Sequence, residues 1–197
     1  MEMTSAYVAG LFAFLIVGLA ASPSSADGET DPTRSVTISS TTHVNYKSSK
    51  SFEAVTAAIE KQLGKFDAQA FAAAMKDVSN PADVETRIHA MEGSSGFMLF
   101  AMRDHGQLLS LKGRKEFDRQ YEVGNPLIAV EMTQADLRAG EYAPLRICVY
   151  VGEDKLTHVD YDLPSTVFGR FKSAQIDKVA RSLDQELEAL ITNALKD

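Results

Sequence analysis

The sequence predicts an α+β domain in which an antiparallel sheet is packed by one long C-terminal helix. Three observations carry this. Ser173 to Ala194 holds a continuous helical stripe of Ile176, Val179, Ala180, Leu183, Leu187, Leu190 and Ile191. Ala143 to Val151 and Leu156 to Asp162 are strand-like runs flanking Gly152 to Lys155, which reads as a hairpin. Phe97 to Met102 (FMLFAM) is apolar at both alternating sets of positions. Such a strand is covered on both faces, or covered on one and paired in an interface on the other.

At 197 residues and 45% hydrophobic content, the chain is sized for one domain and too apolar to be disordered over most of its length. A chain this long buries roughly two-thirds of its unfolded surface and needs no disulfide or metal to fold. The single cysteine, Cys148, leaves no internal disulfide, and no Cys/His spacing resembles a zinc site. The formal charge of −7 repels phosphate backbones and anionic bilayers, which argues against nucleic-acid binding and membrane adsorption.

Ala6 to Ala21 is an apolar run shorter than the about 20 residues of a comfortable membrane span. It suits the core of a secretory signal, although no Lys or Arg precedes it. Pro23 breaks the run, and Ser24 and Ala26 are the small residues a cleavage after Ala26 needs. The expectation is a signal peptide over 1–26, a polar linker over 27–34 and one domain over 35–197. The mature chain is expected in the periplasm, with secretion or an uncleaved anchor as alternatives, and without stable membrane association after cleavage.

Along that domain, Ser35 to Tyr46 reads as a first strand through Val36, Ile38, Thr42 and Val44. Ser51 caps a helix carrying Phe52, Val55, Ile59 and Leu63, ended by Gly64. Asp67 caps a second that turns Phe71, Met75 and Val78 inward. Asn80 and Pro81 open a third with Val84, Ile88 and Met91 on one face. Gly93 to Gly96 breaks the chain before FMLFAM. Leu108, Leu109 and Leu111 read as a neighbouring strand, and Gln120 to Val123 as another. Asn125 caps a short helix from Pro126 to about Met132, and Pro164 closes the hairpin.

The hairpin's register follows from the cost of mixing faces. A plain even turn sets Val149 opposite His158 and Ile147 opposite Asp160. One extra residue pairs Val149 with Val159, Ile147 with Tyr161, Tyr150 with His158 and Arg146 with Asp162. The second register keeps apolar with apolar and is the one expected.

From Gly96 onward the chain resembles the domain of unknown function 302 family. The resemblance rests on Asp104-His105-Gly106, Gly124-Asn125-Pro126-Leu127-Ile128, Tyr142-Ala143-Pro144-Leu145-Arg146 and Tyr161-Asp162-Leu163-Pro164-Ser165, in that order and spacing. It extends more weakly over Ser35 to Leu195. It implies a β-α-β-β-β-β-α fold similar to that of TATA-box-binding proteins, and a homodimer. It implies no established reaction and carries over no catalytic residue. Two departures stand out: Lys65 to Ser95 is longer than in compact members and reads as a helical insertion, and the turn at Gly152 to Lys155 is short. Likeness to a DNA-binding fold does not make this acidic chain a DNA binder.

The candidate ligand-binding residues are His105, Asn125, Arg146, Tyr150, His158 and Asp160. Arg146, Cys148, Tyr150, His158 and Asp160 share one hairpin face, where they form either an anion- or metal-recognising patch or a solvated surface with one salt bridge. His105, between Asp104 and Gly106, is a ligand, a proton shuttle or a turn residue bonded to backbone. Cys148 is expected to be an inert thiol, since nothing but Arg146 makes its strand electropositive. Asn125 opens a helix whose N-terminus attracts anions, though ordinary capping explains it as well. His43 and His89 show no partner pattern and read as surface residues. No Gly-x-Ser-x-Gly, P-loop, His-Glu-x-x-His, Cys-x-x-Cys-His or dinucleotide glycine pattern occurs, and no cofactor is indicated. The expected function is therefore a small-ligand-binding or interaction module, with an enzyme or a metal- or anion-binding protein using a His/Arg/Tyr patch as the alternative.

Overall fold

Among the described residues, seven helices and six strands follow one another in an order that brings the two ends of the domain together. They are β1 (His43–Ser48), α1 (Phe52–Gln62), β2 (Gly64–Lys65), α2 (Ala68–Ala74), α3 (Pro81–His89), β3 (Met98–Asp104), α4 (His105–Leu108), β4 (Asp118–Gly124), α5 (Pro126–Thr133), β5 (Leu145–Val151), β6 (Thr157–Asp162), α6 (Pro164–Phe168) and α7 (Ala174–Leu195). The computed structural model describes residues 32–76 and 78–196. The expected signal peptide and most of the linker lie outside them. Met1–Thr37 and Ile38–Asp197 are separate units, and all the elements belong to the second.

The strands form one sheet in the order β1-β6-β5-β4-β3-β2. Every pairing is antiparallel except the short β2, which runs parallel to β3 at the edge. Without β2, the inserted α2 and α3, and the short helices α4, α5 and α6, the order is the expected β-α-β-β-β-β-α scheme with its long terminal helix. That helix buries Ile176, Ala180, Leu183, Leu187, Leu190, Ile191 and Ala194, the stripe read from the sequence. With Val55 and Ile59 of α1, these side chains cover Tyr121, Val123, Ile147, Val149, Val159 and Tyr161 on one face of the sheet. The buried Tyr121 hydroxyl donates to Glu60 Oε1 at 2.7 Å, so its phenol is satisfied inside that layer.

The FMLFAM strand is covered on both sides by its own chain. Phe97 and Leu99 belong to the main core. Met98 and Phe100 pack against Ala74, Val84, Ile88, Phe71 and Met91, which α2, α3 and the segments at their ends supply. The insertion thus fills the face that the sequence alone left open to a partner.

Four readings need correction. Val36 and Ile38 are 69% and 96% exposed, outside the sheet, because β1 begins only at His43, where β6 runs alongside. Leu108, Leu109 and Leu111 form no strand. Asp104 Oδ1 accepts from Gln107 N at 2.7 Å and starts α4, which passes into a 3₁₀ turn over Leu109–Lys112. Met75 and Val78 face solvent, and Ala74 takes the inward position instead. Pro164 does not merely close the hairpin but opens α6, as a first-turn proline does. In addition, Asn80 precedes α3 as expected but makes no capping hydrogen bond from its side chain.

The sheet depends on α7 for its cover. Leu187 is 1% exposed, so Leu187→Ala leaves a cavity beneath the sheet. A loss of about 2–5 kcal/mol is expected in urea unfolding, with little change in the slope of the transition.

Candidate functional site

The β5–β6 hairpin adopts the register that keeps its faces separate. Ile147 pairs with Tyr161, Val149 with Val159, Cys148 with Asp160 and Tyr150 with His158. An odd-length turn produces this parity. Lys155 N donates to Gly152 O at 3.0 Å, Lys155 turns left-handed at φ 62°, and Gly152 N donates to Leu156 O at 3.0 Å. Three residues therefore join the strands, a type I turn followed by one left-handed position.

The face away from α7 is polar and involves a third strand. β1 sets His43 opposite Asp162, Asn45 opposite Asp160 and Lys47 opposite His158. Asp160 accepts from Asn45 Nδ2, from His43 Nε2 at 3.1 Å and from the Tyr150 hydroxyl at 3.4 Å. Burial is the main cause that raises the Tyr150 pKa, with Asp160 adding to it. His158 is 7% exposed, stacked on Tyr150 with ring centroids 4.9 Å apart. Asn45 Nδ2 donates to its Nδ1 at 3.1 Å, so its proton sits on Nε2 and is donated to Asp154 Oδ1 at 2.8 Å. That bond, and then the Lys47 ammonium 3.0 Å away, hold the Asp154 carboxyl well below the usual carboxylate range. Gly152 makes room for the pair: a Cβ there would lie 2.6 Å from His158 Nε2 and 2.7 Å from Asp154 Oδ1.

His43 was expected to be a surface histidine without partners. It is exposed, yet its Nδ1 also lies 3.1 Å from Asp162 Oδ1, so it bridges two carboxylates. Both partners accept, so both contacts need the doubly protonated ring, and Asp162, then Asp160, raise the His43 pKa. The signal that identifies this strand is the alternation of His43, Asn45 and Lys47 with Val44 and Tyr46.

The candidate residues divide into three groups. Tyr150, His158 and Asp160 meet in the network just described. Arg146, expected opposite Asp162, makes no ion pair with it or with any other described residue. Arg146 stands opposite Glu122 on β4 and lines two clefts. One, of about 510 Å³, also includes Tyr142, Pro144, Glu141, Asp162 and Arg170. The other, of about 230 Å³, includes His43, Gln120, Cys148, Asp160 and again Asp162. His105 and Asn125 stand apart from both. His105 starts α4 at the end of β3. Asn125 is buried and satisfied: Oδ1 caps Leu127 N at 2.9 Å, while Nδ2 donates to Glu92 Oε1 at 2.6 Å and Gly96 O at 3.0 Å. It is a cap and a tie to the loop before β3.

Cys148 is half-buried with its Sγ 3.4 Å from Asp118 Oδ1, and burial followed by that carboxylate pushes the thiol up to about 12. It stays protonated near neutral pH, as an inert thiol does. In the large cleft, Arg170 donates to the Tyr142 hydroxyl and to Ser39 Oγ, and its guanidinium lies 4.4 Å from the Tyr142 ring centroid. Among the described residues, no group of three or more His, Cys, Asp or Glu is arranged to hold a metal ion.

Residues 71–194 match the family described as domain of unknown function DUF302. The chain belongs to that family. A solved DUF302 structure, an uncharacterised conserved protein from Bacillus stearothermophilus, shares the fold at a TM-score of 0.55 and 16% identity, covering 77% of this chain and 97% of that one. No curated protein matches. The DUF302 segments Tyr142-Ala143-Pro144-Leu145-Arg146 and Tyr161-Asp162-Leu163-Pro164-Ser165, which carried the resemblance, converge on the large cleft through Arg146 and Asp162.

The His43 bridge gives the sheet edge a pH dependence. Its folded-state pKa lies above the ordinary 6.5, so its stabilisation is complete below 6.5 and is lost as pH rises through the raised value. In urea unfolding, wild type should exceed His43→Gln in stability at about pH 5.5, and the gap should shrink by about pH 9.

Proposed function

We propose that this chain is an exported small-ligand-binding module that recognises an anionic group in the larger cleft, and that it works as a homodimer. The observation that carries the reading is Arg146. The residue lines both clefts and forms no ion pair among the described residues, although Glu122 and Asp162 stand on the two adjoining strands. Guanidinium groups bind carboxylates and phosphates in fixed two-pronged geometry, and an unpaired one in a concave site is suited to that task. The cleft volume is within the range of small-molecule sites, and Tyr142, Pro144 and Val167 supply apolar wall.

The tyrosine-stacked Arg170 adds a second guanidinium, while Glu122, Glu141 and Asp162 add negative charge. That mixture favours a ligand with an anionic end and a polar, uncharged or cationic remainder over a bare polyanion. His105, one of the residues on which a catalytic reading rested, lines neither cleft. Export rests on the apolar run Ala6 to Ala21. The dimer rests on the family resemblance and on β1, an edge strand with β6 on one side only.

Native mass spectrometry of protein purified from its own compartment tests each part. It should show a chain shortened after Ala26, a dimeric mass and a retained small acid. Monomer at micromolar concentration would reject the dimer, and a full-length mass would reject cleavage. Removing a charged hydrogen-bond partner typically costs tenfold or more in affinity. In titration calorimetry with the recovered acid, Arg146→Gln should therefore bind about tenfold more weakly, or worse. Equal affinity in the variant would overturn the assignment.

A further inference from the structure

The connection between β3 and β4 presents a surface that the cleft does not use. Residues 108–117 read LLSLKGRKEF, with three basic side chains and one acid in a chain whose total charge is −7. Leu108 and Leu111 are 59% and 81% exposed, while Leu109 between them is half-buried. Leu108 ends α4 in helical backbone and Leu111 lies three residues on in the 3₁₀ turn, a spacing that puts the two exposed side chains on neighbouring positions of one helical surface. Arg114 is held by Glu116 at 2.9 Å. Lys112 and Lys115 are exposed, with no ion pair among the described residues.

Two backbone hydrogen bonds close the turn. Gly113 N donates to Ser110 O at 3.0 Å and Arg114 N to Leu109 O at 3.2 Å. Gly106 is buried so tightly that a Cβ would come within 2.3 Å of Glu116 O, which seats α4 against the strand leading into β4.

We propose that this turn docks reversibly on an anionic lipid surface, with Leu108 and Leu111 entering the interface and Lys112 and Lys115 meeting the headgroups. Charge complementarity selects the occupant: an acidic protein turns its basic, leucine-bearing tip outward. Ten residues are too few for a stable protein partner, which needs roughly 800 Å² from each side, whereas two leucines and two lysines form a weak lipid contact. The docking is peripheral and conditional on anionic lipid, so it is distinct from stable anchoring.

The chain has no tryptophan, so a single one can report the turn. The test uses the full chain with Leu111→Trp, and with Leu137→Trp as the control at another highly exposed leucine. Vesicles contain about one-third phosphatidylglycerol in phosphatidylcholine, or phosphatidylcholine alone. The Leu111→Trp emission should shift to the blue and be quenched by brominated acyl chains only with phosphatidylglycerol present, while the Leu137→Trp emission stays unshifted. Adding Lys112→Gln and Lys115→Gln should raise the lipid needed roughly fivefold per lysine. An unshifted Leu111→Trp emission overturns the proposal, as does an equal shift on phosphatidylcholine alone. A shift that grows with protein concentration in the absence of lipid overturns it in favour of contact between copies.

Discussion

Three residues between Gly152 and Leu156 decide which side chains of the sheet meet water. Because successive strand residues point to opposite faces, one residue more or fewer in this turn would exchange the two sets along β6. The odd turn places Val159 and Tyr161 under α7 and leaves Asp160 and Asp162 outside. The core needs the first set, and the polar network needs the second. Packing of the long helix and assembly of the outer face are two consequences of the same parity.

On the outer face, order is maintained by groups that are individually costly to bury. His158 is nearly closed off from solvent and stays soluble in its surroundings through Asn45, Asp154 and the Tyr150 ring. Removing Asn45 or Asp154 leaves one nitrogen of a nearly buried ring without its partner, a larger loss than a typical exposed ion pair brings. The network in turn fixes Asp160, and β1 through His43 fixes Asp162. Arg146 is left as the side chain of this region whose charge no described partner neutralises. The shared wall of the two clefts is therefore stiff on the acidic side and free on the basic side, as recognition by a guanidinium requires.

Much of the frame was legible in the sequence because it depends on periodicity. The α7 stripe and the caps Ser51, Asp67 and Asn125 have local signatures, and the hairpin register follows from refusing to mix faces. What failed depends on neighbours far along the chain. Val36 and Ile38 have strand-forming side chains but no strand beside them. Leu108, Leu109 and Leu111 look like buried strand, yet Asp104 starts a helical turn that no count of leucines reveals. The site was half legible. Tyr150, His158 and Asp160 could be grouped because they share a hairpin, whereas His43 and Asn45 lie more than 100 residues away and join only through the β1–β6 ladder. His105 drew attention by its residue type, and type alone does not bring two ends of a sheet together.

The helical insertion has an effect beyond its own small core. By sealing Met98 and Phe100 it occupies the outer face at the β3 end of the sheet and leaves β5, β6 and β1 as the bare portion. The outer face is thus asymmetric, dry toward one edge and wet toward the other. On the wet side, the smaller cleft gathers His43 of the edge strand and the two aspartates that hold it.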